Sequence, residues 1–274
     1  MADLYILTIF TICASIATPL YMLFRNRMTR QARRRKHPLS YYSKKRIFKI
    51  AIIIFSLLLP ALVLSAAIFL SIIARTGKIF LSQADLPYLA TFFITSLIVS
   101  YGSGIYIVSI IKEEFTKETL KIDPKFVLEY ITNEFFHGPV SHVMVFSGAL
   151  FMFLIISLLE LGYPTRGLTN THLVIYLVDG IALGIALGMA HYYNDTWKHQ
   201  IFWAATALLV HQAVLLSSPE VSFYEVPFNL FFAIFSFVLN IMLLIKLIWY
   251  HAGKVLYKYD QEEKSLSKFL TAEK

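Results

Sequence analysis

Long apolar runs separated by short polar stretches set the pattern of this chain. The runs cover about 4–24, 50–74, 88–111, 141–161, 173–193, 200–217 and 228–250. At 1.5 Å per residue each is long enough to cross, or nearly cross, a hydrocarbon core of about 30 Å. Inside a bilayer every backbone amide needs an internal partner, so such runs are read as helices. The pattern therefore predicts an all-α polytopic membrane protein, a single bundle of about seven transmembrane helices.

Two stretches follow a different rhythm. Between 124 and 136, Phe126, Val127, Tyr130, Ile131 and Phe135 recur at helical spacing opposite Lys125, Glu129 and Asn133. This predicts an amphipathic helix lying along the membrane interface, started by Asp123-Pro124 and ended by Gly138-Pro139. Residues 251–274 carry mixed charge and are expected to form a cytoplasmic tail.

Composition agrees with the pattern, and the placement of charge orients it. The chain is 57% hydrophobic and 15% charged, with a formal net charge of +8. That excess is concentrated in 25–49, where Arg25, Arg27, Arg30, Arg33, Arg34, Arg35, Lys36, Lys44, Lys45, Arg46 and Lys49 occur without one acidic residue. Positive charge beside a first span predicts a cytoplasmic loop, an N-terminus outside and a C-terminus inside. The same loop is expected to touch anionic lipid of a plasma (inner) membrane rather than nucleic acid. Cys13 has no cysteine partner in the chain, and no fixed-period repeat points to a transporter of inverted halves.

Candidate chemistry gathers in the hairpin 172–217. Gly180, Gly184 and Gly188 recur every fourth residue and predict a groove for a neighbouring helix. Asp179 borders that groove about two turns into its span, where a charge costs several kcal/mol unless paired or solvated. It is expected to be protonated, hydrogen-bonded to a serine of the span 88–111, or paired with a cation. That same span, rich in small residues, is expected to be interior. His211 is the other deep polar residue, with His172 as a partner across the hairpin.

Nearer the expected cytoplasmic boundary, His191, Asp195 and His199 are spaced as H-x3-D-x3-H, and His137 and His142 lie at the start of another span. Imidazoles with a carboxylate suit zinc or iron, so His142, His191, Asp195 and His199 form a candidate metal set. Glu160 and Lys246 stand near span ends and are expected to reach the interface.

Two functional readings follow. The first is a sensor or transport component that binds a ligand or ion through Asp179, His211 and the cytoplasm-side histidines. The alternative is a membrane-embedded, metal-dependent hydrolase or oxidoreductase acting on a lipid or other apolar substrate. The missing repeat counts against the first reading and the weak specificity of the histidine spacing against the alternative, and a non-enzymatic role is favoured.

Overall fold

The computed structural model describes residues 2–16, 59–75, 77, 82–122, 127–194, 196–218 and 222–272. Among these the chain is helical, with no strand. In chain order the helices are α1 (Ala2–Ile16), α2 (Leu59–Ala74), α3 (Leu86–Ile122), α4 (Val127–Phe135), α5 (Ser141–Glu160), α6 (Asn170–Asn194), α7 (Trp197–Leu216) and α8 (Pro227–Ala272). Five segments are long and apolar enough to cross a membrane, and α1 and α2 add shorter apolar helices. This is a helical membrane bundle, as the hydropathy pattern requires.

The basic segment 25–49, the end of the first expected span, the start of the second, and Asp123-Pro124 lie outside the described residues.

Three boundaries differ from the sequence reading. Gly138-Pro139 does not end the amphipathic segment: the backbone passes through a π turn at Phe136–Val140 and runs straight into α5. A π turn relaxes the hydrogen-bond ladder locally, which lets Pro139 sit inside a helix despite its missing N–H. The final helix continues past Tyr250 to Ala272, through the region expected as a tail. Likewise α3 runs eleven residues beyond Ile111, to Ile122.

The centre of the bundle is α5 rather than α3. The spanning window of α5 is 72% buried and that of α3 only 28%. The small residues of α3 do allow close approach, but on one side: a Cβ added to Gly102 would lie 2.7 Å from Met144 Cβ, and one added to Gly148 would lie 2.6 Å from Val99 Cγ2. Phe153 of α5 anchors the core. Its ring meets Phe10 at 5.3 Å, Phe231 at 5.8 Å and Phe235 at 5.9 Å, joining α1, α5 and α8 through edge-on aromatic contacts.

The second close pair is α6 with α8. Cβ atoms built on Gly180, Gly184 and Gly188 would meet Phe231 O, Val238 Cβ and Met242 Cβ at 2.8 Å each. The glycine stripe thus lets the two backbones approach to a distance that no side chain would allow. On the same helix, Asp179 lies beside α1.

Candidate functional site

Asp179 is buried, and its Oδ2 accepts a 2.8 Å hydrogen bond from Thr8 Oγ1 of α1. The serines expected as partners are turned to their own helix: Ser96 donates to Phe92 O, Ser100 to Ser96 O and Ser103 to Val99 O. No ion pair of Asp179 with a lysine, arginine or histidine occurs among the described residues. A neutral hydroxyl holds this carboxyl in an apolar wall.

One turn earlier in α6, Tyr176 donates a 2.6 Å bond to Asp3 Oδ2, so α1 and α6 share two polar rungs. Asp3 belongs to a larger cluster. Arg75, just past α2, directs Nη2 to Asp3 and Nη1 to Glu160 Oε1 at 2.8 Å, and also donates to the carbonyl of Tyr163 at 3.2 Å. Glu160 Oε2 in turn accepts from the Asn229 backbone N at 2.9 Å and from Asn229 Nδ2 at 3.1 Å. Those amides belong to the first turn of α8, where unsatisfied N–H groups favour an anion.

Glu160 is therefore fully buried, which corrects the expectation that it reaches the interface. Asp3, Arg75, Tyr176 and Asn229 were not among the candidate site residues of the sequence, where Asp3 and Arg75 read only as charges beside span ends. The available signal was that charges at the ends of three different spans must each find a partner once those ends converge.

His211 is fully buried on α7, and its Nε2 lies 3.1 Å from Asn229 Oδ1, not beside His172. His172 instead accepts from Thr169, whose N and Oγ1 lie 3.1 and 2.9 Å from its Nδ1. Beside this end of the bundle, Ser82 N and Ser82 Oγ donate to Asp85 Oδ2 at 2.8 and 2.6 Å, and Tyr163 Oη donates to the same oxygen. Burial, together with that bond and the Asp85 charge, pushes the Tyr163 phenol up to about 12.

At the opposite end, rings from three helices touch in series. Tyr106 of α3 lies 5.1 Å from His142 of α5, His142 lies 5.8 Å from Phe146, and Phe146 lies 4.6 Å from His191 of α6. His137 joins them, 5.5 Å from His142. His142 Nδ1 is 3.1 Å from the Gly138 carbonyl, which only accepts, so that nitrogen donates. His191 Nδ1 is 3.0 Å from Thr196 Oγ1.

Of the candidate metal set, His142 and His191 are buried near one another and His199 is exposed; Asp195 lies outside the described residues. Among the described residues, no three His, Cys, Asp or Glu side chains are placed to hold one ion. Lys246 reaches back over the Tyr192 ring, 5.3 Å from its centroid, a cation–π contact that shields its charge from the apolar face.

Comparison with protein-family models, with curated proteins and with solved structures finds no match for this chain.

Proposed function

We propose that this chain is a multi-pass membrane protein that binds an ion or ligand, as a sensor or a transport component, with Asp179 as the group that exchanges a proton or holds a cation. The observation that carries this reading is the Thr8–Asp179 contact. In the same bundle Arg75 serves two other carboxylates, while Asp179 receives a neutral hydroxyl. An intramembrane carboxyl with no cationic partner among the described residues is suited to accept a transient one, whether a proton or a metal cation.

The proposed orientation has seven crossings, with the N-terminus outside and the C-terminus in the cytoplasm of a plasma-membrane protein. The charge of 25–49 supports it by the positive-inside rule. The Arg75–Glu160 cluster then faces outward and the series of rings through His142 and His191 faces the cytoplasm. The basic segment rests on anionic lipid, and glutamine replacements of its arginines should weaken binding to vesicles containing phosphatidylglycerol. Equal binding would remove lipid contact from the reading.

Infrared difference spectra recorded between acidic and alkaline pH test the role of Asp179 in lipid-reconstituted protein. Wild type should show a protonated-carboxyl band that disappears in Asp179→Asn and shifts in Thr8→Val. Difference spectra identical among the folded proteins would overturn the reading.

A further inference from the structure

The hydrogen bonds around Asn229 determine the state of a histidine two links away. Asn229 Nδ2 lies 2.8 Å from the Ser157 carbonyl and 3.1 Å from Glu160 Oε2, and both of these only accept. The amide orientation follows from the network: Nδ2 must face them, so Oδ1 faces His211. Because Oδ1 also only accepts, His211 Nε2 must carry a hydrogen. A neutral His211 therefore keeps its lone pair on Nδ1, and this nitrogen is buried without a hydrogen-bond partner among the described residues.

An orphaned acceptor in a bundle interior is costly unless it serves a purpose, since buried polar atoms are nearly always paired. We infer that His211 is a second proton-binding site, which takes a proton at Nδ1. The step is simple in its balance. The Nδ1 lone pair forms an N–H bond to a proton delivered by hydronium, whose O–H bond breaks to leave a neutral water, and the ring becomes an imidazolium that still donates to Asn229 through Nε2. Uptake thus needs no rearrangement of the network, unlike protonation of a histidine whose two nitrogens are both engaged.

The surroundings bear on the charge so formed. On α8 the ring meets Asn229 and Phe232, the latter at 4.8 Å. Glu160 of α5 lies on the other side of Asn229, with Arg75 and then Asp3 beyond it, while Asp179 of α6 is bonded to Thr8. A recess of about 330 Å³ at this end is lined by Asp85, Tyr88, Leu158, Tyr163 and Val214, and Val214 lies one turn from His211 on α7.

The inference rests on the proton-exchange reading above, but its test is separate. Protein labelled with ¹⁵N-histidine, in lipid nanodiscs, would be followed by NMR from about pH 9 to about pH 5. His211 would be assigned by its loss in His211→Gln or, if that variant does not fold, in a chain whose other histidines are glutamine. The expected result is an Nε2–H ring at high pH that gains a proton at Nδ1 on acidification, with the fixed tautomer lost in Asn229→Leu and unchanged in Asp179→Asn. An Nδ1–H ring at high pH overturns the inference. So does a ring that stays neutral throughout in folded protein, or an Asn229→Leu ring that keeps the single tautomer. Failure of the Asp179 reading would appear in the infrared spectra and leave this titration standing.

Discussion

Arg75 and Glu160 stand 85 positions apart and meet in the interior, Nη1 lying 2.8 Å from Oε1. The contact joins the end of α2 to the last residue of the central helix. Through Asp3 and Asn229 the same network reaches α1 and α8. Buried charges of this kind contribute little net stability as a pair, yet losing one partner strands the other in a medium that solvates it poorly.

Arg75→Met is accordingly expected to cost about 3–5 kcal/mol, because Asp3 and Glu160 would remain buried together without the guanidinium. The double variant Arg75→Met with Glu160→Met should be more stable than Arg75→Met alone. Reversible unfolding in mixed micelles measures both. Additive losses would mean that the pair is energetically uncoupled.

The α6–α8 contact should tolerate no side chain at its middle glycine. In Gly184→Leu the new Cβ would lie 2.8 Å from Val238 Cβ and 3.0 Å from Phe235 O, so the helices must separate. Overpacking of this sort costs about 1–3 kcal/mol. Gly104→Leu is the control, since nothing lies within 4 Å of a Cβ built there, and it should unfold like wild type.

Tyr163 makes stability depend on alkaline pH. Its phenol is pushed up to about 12 by burial and by Asp85, above the value of about 10 for a free tyrosine. Below about pH 10 the contribution is fully present. Between about 10 and 12 the unfolded chain loses the proton while the folded chain keeps it, so stability falls as pH rises. Melting temperatures across this window should decline less steeply in Tyr163→Phe than in wild type. Parallel declines would remove the phenol from the account.

Orientation is open to a direct test. Reporters fused after Ser40, Ser82, Leu120, Arg166, Thr196 and Ser222 should alternate between cytoplasm and exterior, beginning with cytoplasm. A cytoplasmic signal at Ser82 or Arg166 would contradict seven crossings with the N-terminus outside.

The linear order of residues was sufficient for the class of fold, for the approximate position of the long apolar helices, and for the glycine stripe at which α6 and α8 meet. These are local properties: hydropathy over some twenty residues and spacing of four along one helix are complete before any two helices meet. The partners were decided only in three dimensions. Small residues on α3 announce a close neighbour without saying that α5, and not α3, becomes the centre. Asp179 announces a need for a donor without saying that Thr8, 171 positions away, supplies it. Arg75 and Glu160 each read as an ordinary charge at a span end, because their burial depends on four helices converging there. Lipid offers the helices no hydrophobic preference among their neighbours, so backbone fit and polar pairing choose the arrangement, and both are properties of the assembled bundle.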